Sequence, residues 1–525
     1  MTRSSWLWAV MATGLAAAGC APGCGPQEEK EEEEKPSCTA GTTCEDGSIC
    51  ENIYGTSETG CFPPVVVRGT VVNEVDESAI PGADVVALDE DGTPRAGPVT
   101  TDSLGQYELK LLVARDHNGE PQQDKVTLRA TAQGHETFPS PLRPALPLEL
   151  SEASLSDGKY VYASDLTRVE LTPLEDATGL GRIQGTVVGA TFNGGILVTA
   201  SDANRTPTAL TALTDAGGAF TINNVPAGTY VVRGYVVGEN LTPASNVVVT
   251  PGETVTGVQL SKNDTAVATV SGSVNPVAGG CTGGTSVVLV PRETLQPGIT
   301  FPLTAVSVIR GEVPRGLRAP STGEPSISGD WSISGVPDGT YEVLAAYEND
   351  PSPCVYDPSN IGGALFIHEQ PVPGDGGSRT LSVPAFKVTG AVELVGPGAG
   401  DDVQEVTTLT PAFQWEEYSS SKNYQVAVFD SAGRRVWATT VCPDDANGCD
   451  TTSPPSVTYG TAGAGTTQPA QAPVLEPGKL YQWRVIALGS RNGASCGFSG
   501  MELTGDRECI SISEDLRGLF RTPTE

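Results

Sequence analysis

Between residues 63 and 386 one order of signals is written three times, and a chain that repeats itself in this way builds the same unit more than once. Each copy begins with a strand that carries an internal glycine. A second strand follows after a turn, and then an Asp or Ser turn with glycine runs into an aromatic strand. The first copy reads Val67-Arg68-Gly69-Thr70-Val71, Pro81-Gly82-Ala83-Asp84-Val85 and Thr101-Asp102-Ser103-Leu104-Gly105-Gln106-Tyr107. The second reads Ile183-Gln184-Gly185-Thr186-Val187, Ile196-Leu197-Val198-Thr199-Ala200 and Thr214-Asp215-Ala216-Gly217-Gly218-Ala219-Phe220, and adds Val225-Pro226-Ala227-Gly228-Thr229-Tyr230. The third has Val270-Ser271-Gly272-Ser273-Val274, Val287-Val288-Leu289-Val290, Ser328-Gly329-Asp330-Trp331 and Val336-Pro337-Asp338-Gly339-Thr340-Tyr341. In the first copy Arg115 to Pro121 stands where the Pro-Gly turn belongs, which leaves its strand order open there.

These signals call for strands. Gly and Asp permit the positive φ of tight turns, and β-branched and aromatic residues suit a pleated surface. The chain has 62 Gly and 41 Pro against 3 Met, and its 525 residues exceed what one hydrophobic core can organise. A prior of about three to five domains follows from length. The expected class is all-β: tandem Greek-key sandwich modules after an acidic tether and a small disulfide-rich segment.

The threefold grammar resembles the carboxypeptidase regulatory-like domain family, also called transthyretin-like or Cna B-like. That resemblance implies seven- or eight-stranded sandwiches over 63–175, 180–262 and 267–386. The remaining segment, 387–525, differs. Pro411 to Trp415, Tyr424 to Phe429 and Leu475 to Ala487 alternate at period two, as half-buried strands do. The Pro477-Gly478 turn leading into Tyr481, Trp483 and Val485 on one face is similar to the penultimate strand of fibronectin type III domains.

The first residues read as an export signal over 1–19. Arg3 supplies a positive start and Trp6 to Ala18 form an apolar run too short to span a bilayer. Leu15-Ala16-Ala17-Ala18-Gly19-Cys20 resembles the lipobox of bacterial lipoproteins, which implies a lipid on the Cys20 thiol and a mature chain that begins there. Ordinary signal cleavage is the alternative, and Ala17 stands where Leu is commonest. Ala21 after Cys20 is compatible with the outer membrane of a Gram-negative cell. The tether, 20–36, contains Glu28 to Lys35 (EEKEEEEK), whose like charges keep it extended.

Export places the 12 cysteines in an oxidising compartment, so pairing is weighed before metal binding. The segment 37–62 is too small for a core of its own, and Cys38, Cys44, Cys50 and Cys61 are expected to staple it in one of three connectivities. Zinc is the sharper alternative, but the gaps between these cysteines are five, five and ten residues, with no His nearby. Cys281 with Cys354, Cys442 with Cys449, and Cys496 with Cys509 are further expected pairs. Cys24 has no obvious partner.

Enzyme chemistry is not expected. The chain has 3 His, no Gly-x-Ser-x-Gly elbow and no phosphate loop. His117 and Glu120 have a His-x-x-Glu spacing but no third ligand, in a polar loop. Asp89-Glu90-Asp91-Gly92 could ligate calcium, though such a run is more often a solvated hairpin. The second copy has no Lys between 181 and 260, so it cannot close a Lys–Asn isopeptide bond. No catalytic residue, metal or cofactor is expected. A net charge of −32 repels phosphate backbones and excludes nucleic acid as a partner.

Two functions remain. One is a surface stalk or adhesive protein that presents its modules to an extracellular protein or glycan from a lipid bilayer anchored through Cys20. The other is a carbohydrate-binding protein, which needs exposed aromatics in a row; Trp437 and Tyr459 are the candidates.

Overall fold

A computed structural model describes residues 38–140, 143–191, 194–277, 286–294, 312–321, 326–346, 365–368, 379–383, 386–389, 391–418, 423–441, 454–461, 472–490, 507–514 and 516–524. They are built from strands and short 3-10 turns, and no helix among them is long and apolar enough to cross a membrane. The chain is all-β, and its strands pair into stacked sheets.

The three repeats adopt one topology. In each, the glycine-bearing strand is central to a sheet and pairs antiparallel with the aromatic strand on one side. On its other side it pairs in parallel with the last strands of the repeat. Val65–Asn73 lies between Gln106–Leu111 and the pair Lys159–Tyr162 and Arg168–Leu171. Gly181–Val188 lies between Ala219–Val225 and Thr254–Asn263. Ala268–Val277 lies between Asp330–Val336 and the pair Arg379–Ser382 and Phe386–Thr389. The second sheet of each repeat also keeps one order. Its central pair is Asp84–Leu88 with Lys125–Thr131, Leu197–Ser201 with Gly228–Tyr235, and Ser286–Pro291 with Thr340–Ala346. The first copy therefore places Lys125–Thr131 where the others place the strand after their Pro-Gly turn.

The register explains the repeated glycine. Gly69 lies opposite Tyr107, Gly185 opposite Phe220 and Gly272 opposite Trp331. Each ring folds across the empty face of its glycine. A Cβ would lie 2.7 Å from Cζ of Tyr107, 2.5 Å from Cζ of Phe220 and 2.7 Å from Cζ2 of Trp331, where no side chain fits. All three rings are buried, and the Tyr107 hydroxyl donates to the Thr167 carbonyl at 2.8 Å. A strand glycine ordinarily weakens a sheet; here the cross-strand ring restores the lost packing.

The turns are equally regular. Asp89, Asp102, Asp116, Asp215 and Asp430 each accept, on one carboxylate oxygen, the N–H groups two and four residues ahead, at 2.8–3.1 Å. The residue three ahead is glycine at positive φ, from 71° at Gly105 to 88° at Gly119. The side chain replaces a backbone turn and the glycine closes it without steric cost.

The segment after 391 forms its own pair of sheets. One joins Leu394–Gly396, Ala412–Trp415 and Ser456–Thr458; the other orders Gln404–Glu405, Leu519–Arg521, Leu480–Ser490, Asn423–Asp430 and Arg435–Val441, with Arg507–Ile512 also paired to Leu480–Ser490. Between the sheets lie Phe413, Trp415, Tyr424, Trp483 and Phe520. The expected half-buried alternation is not what this second sheet shows. Ala427, Phe429, Leu480, Ile486 and Leu519, on its other face, belong to the core of the first module. Even Gln425 is 1 % exposed. The sheet is covered on both faces because the first module packs against its back.

Replacing Gly185 with Val should destabilise the second module by about 1–3 kcal/mol through overpacking against Phe220 and the Val258 carbonyl. Calorimetry of the full chain should show its melting shifted to lower temperature.

Candidate functional site

The Cys-rich segment is a small hairpin, Ile49–Asn52 against Thr59–Phe62, with Cys50 opposite Cys61. Its disulfides are Cys38–Cys50 and Cys44–Cys61, one of the three connectivities that spacing leaves open. The Sγ atoms of Cys38, Cys44 and Cys61 lie within 4.8 Å of one another, but all are spent in these bonds. Cys20, Cys24, Cys281, Cys354, Cys442, Cys449 and Cys496 lie outside the described residues. Cys509 sits on Arg507–Ile512 opposite Leu488, and its expected pairing with Cys496 lies outside them too.

The hairpin is fastened to the first module by an arginine with no exposed surface. Arg115 donates from Nε to Glu51 Oε2 at 2.5 Å, from Nη2 to the Pro63 carbonyl at 2.6 Å and from Nη1 to the Gly119 carbonyl at 3.3 Å. Its guanidinium lies 5.4 Å from the Phe62 ring centroid and 5.1 Å from that of Tyr160. Glu51 Oε1 accepts the Val113 N–H at 2.9 Å. A buried pair of this kind is tolerable only because nearly every polar atom is satisfied. It joins the hairpin, the Arg115–Pro121 loop and the chain at Pro63, just before the first strand of the module.

The sequence candidates fall as follows. His117 and Glu120 are exposed on the Asp116 turn and form no ligand set. Asp89 accepts the N–H groups of Asp91 and Thr93, while Glu90 and the buried Asp91 meet the guanidinium of Arg318 from the third repeat. A guanidinium thus stands where a calcium ion would have to bind. Trp437 and Tyr459 are buried with ring centroids 5.2 Å apart, and form no exposed row for stacking sugars. An open groove on the first module is lined by Arg68, Thr70, Asp102, Glu108, Ser164 and Arg168. Its charges are internally paired, Arg68 and Lys159 to Glu108 at 2.7 and 2.5 Å and Arg168 to Glu170.

The most developed polar surfaces are the junctions between modules. Between the first and second, Asn224 at φ 57° donates to the Ala132 and His135 carbonyls at 3.1 and 2.8 Å and accepts the Gly134 N–H at 2.7 Å. Arg129 pairs with Glu312 at 2.6 Å and donates to Thr211 at 2.9 Å, which ties the first three repeats together. Between the second and third, the Tyr235 hydroxyl donates to buried Glu293, and the Tyr235 and Tyr341 rings meet edge to face at 5.9 Å. Burial and the adjacent Glu293 push the Tyr235 hydroxyl well above its ordinary range. Between the first and fourth, Arg434 reaches Glu74 at 2.9 Å and also Glu170, and Arg143 donates to the Ala432 carbonyl at 2.9 Å and to Glu74 at 3.2 Å. Burial pushes the Glu74 carboxyl up, but Thr172, Arg434 and Arg143 outweigh it and hold Glu74 below the usual carboxylate range.

Sequence reasoning missed these groups. Arg115 looks like any loop arginine, and nothing local marks Asn224 or Arg143. One signal was present for the fourth module: Val426-Ala427-Val428-Phe429 is continuously apolar, as a strand covered on both faces must be.

No protein-family model matches the chain, and no curated protein matches it. Among solved structures, it is similar at 13 % identity to the Bacillus anthracis TIE protein, over 64 % of this chain and 52 % of that one, with a TM-score of 0.14. The chain thus spans about half the length of that protein. Shaft pilin SpaA from Lactobacillus rhamnosus GG is 13 % identical over 38 % of this chain and 98 % of its own, with a TM-score of 0.16. BcpA, the major pilin subunit of Bacillus cereus, is 12 % identical over 61 % of this chain and 99 % of its own, with a TM-score of 0.16. Likeness at this level transfers no role.

Two outcomes test the buried charges. Arg115→Ala leaves Glu51 buried and unpaired, and should weaken the docked hairpin by about 3–5 kcal/mol; limited proteolysis of the full chain should then cut first within 38–62. Glu342 is buried, neither of its carboxylate oxygens has a hydrogen-bond partner, and burial pushes it up to about 8 despite Arg292. A carboxyl raised from 4.5 in this way contributes stability that is complete below pH 4.5 and is lost as pH rises toward 8. Glu342→Gln should therefore match wild type at pH 4.5 and melt later at pH 8, by on the order of 1–3 kcal/mol; an advantage that shrinks with rising pH contradicts this.

Proposed function

We propose that this chain is a non-enzymatic cell-envelope lipoprotein, held in a bilayer by acylated Cys20, whose β-sandwich modules serve as a structural, ligand-presenting surface protein. The observation that carries the reading is the run Leu15 to Cys20 behind an apolar stretch with Arg3 at its start. Acyl chains on Cys20 would contribute about 0.8 kcal/mol per buried CH2, and two or more chains suffice for stable anchoring.

Three further observations support it. The hairpin that follows the tether carries two disulfides, which persist in exported proteins and are rare in the cytosol. The tether's acidic block favours an extended spacer between lipid and folded modules. The ion pairs Arg129–Glu312, Arg318–Asp91 and Arg143–Glu74 lie at junctions between modules, where they help join one to the next. The outer membrane is the proposed location, and an extracellular protein or glycan the proposed partner.

Labelled palmitate should enter the wild-type protein in a Gram-negative host and be lost from Cys20→Ser, with the variant moving from the membrane to the soluble fraction. Undiminished labelling of the variant, or a wild-type protein that stays cytosolic with free thiols at Cys38 and Cys50, overturns the reading.

A further inference from the structure

We infer that the fourth module is a clasp on the first, so that tension between residues 38 and 524 passes directly across their shared face, in parallel with the longer path through the second and third modules. One sheet of the fourth module has a covered back. In Asn423–Asp430 the side chains of Tyr424, Val426 and Val428 enter the module's own core, while Ala427 and Phe429, one residue along, enter the core of the first module. Leu480, Ile486 and Leu519 do the same from the neighbouring strands. A sheet of such a sandwich normally faces water on its outer side. Here that side is packed against residues some 300 positions earlier in the chain.

Charged groups frame the apolar contact. On one side are Arg434 with Glu74 and Glu170, and Arg143 on the Ala432 carbonyl. Elsewhere Lys125 pairs with Asp401 at 3.2 Å and donates to the Leu516 carbonyl at 2.9 Å, Gln123 donates to Asp402 at 3.0 Å, and Lys479 pairs with Asp165 at 2.9 Å. Backbone fits backbone as well: a Cβ on Gly433 would strike the Pro144 carbonyl. These contacts are an apolar centre with a polar rim, the anatomy of a specific interface.

The consequence lies in where the chain enters and leaves. The Cys-rich hairpin is fastened to the first module through Arg115 and Glu51. The last strand, Leu519–Arg521, is hydrogen-bonded inside the clasping sheet, beside Leu480–Ser490 and Gln404–Glu405. A pull between residue 38 and residue 524 therefore loads the hairpin, the first module, the clasp and the fourth module in series. The second and third modules, which lie in the chain between the clasped pair, form a parallel branch. They carry the whole load only after the clasp opens.

The test is single-molecule extension of the full chain with handles at Cys38 side and C-terminal ends. Wild type should show a first rupture, with a length gain too small for the unfolding of a sandwich, before any module unfolds. Arg143→Glu with Arg434→Glu should remove that event or halve its force while the later unfolding events persist. Later events at wild-type force would mark the charge-reversed chain as folded, which a merely misfolded variant would not allow. An unchanged first rupture in the charge-reversed chain overturns the inference.

Discussion

The structure depends on the close approach of an aromatic ring to a glycine on the neighbouring strand. At Gly69–Tyr107, Gly185–Phe220 and Gly272–Trp331 the ring takes the space of a missing side chain, so the pair fits in one register only. A slip of one residue would turn the ring to the opposite face and bring a Cβ into its place. With that pair held, the central strand presents its other edge to the last strands of the repeat in parallel, and the sandwich closes. The Asp turns act at the next level. Each carboxylate satisfies two N–H groups that would otherwise be lost where a strand reverses.

The modules do not behave as independent beads. The outer face of Asp84–Leu88 contributes Val86 and Leu88 to the core that contains Val270, Trp331 and Tyr341 of the third repeat, together with Leu197, Leu213 and Tyr235 of the second. The fourth module adds its sheet to the first. Each large side chain buried in this way contributes about 1.5–3 kcal/mol, and the arginines at the junctions select which faces meet. Arg115, Arg129, Arg143 and Arg318 recur at these junctions because a guanidinium can satisfy a carboxylate and carbonyls at once from a half-dry position.

This arrangement also bears on function. The groups that resemble sites in isolation are absorbed by structure: Asp91 meets Arg318, Trp437 packs against Tyr459, and the cysteines of the hairpin are joined. Tyr54, Leu104 and Leu155 stand exposed on the outside of the first module and its hairpin.

Fold class, the repeat, the positions of the turns and the inward rings were legible in the residues, because each rests on interactions within a few dozen positions. Alternation and Asp-x-x-Gly report local geometry, whereas the ring that each strand glycine faces was set by the register. The topology of the first copy was not legible, since its Arg115–Pro121 loop lacks the Pro-Gly signal and its strand is placed by pairing with Asp84–Leu88. Nor was the disulfide connectivity, because four equivalent thiols carry no preference until the hairpin sets Cys50 opposite Cys61. Only the tertiary structure decided that the back of the fourth module is dry and that Arg115, Arg143 and Arg434 are joints. Those facts depend on faces brought together from distant parts of the chain, and a residue's own neighbours in sequence do not encode what will cover it.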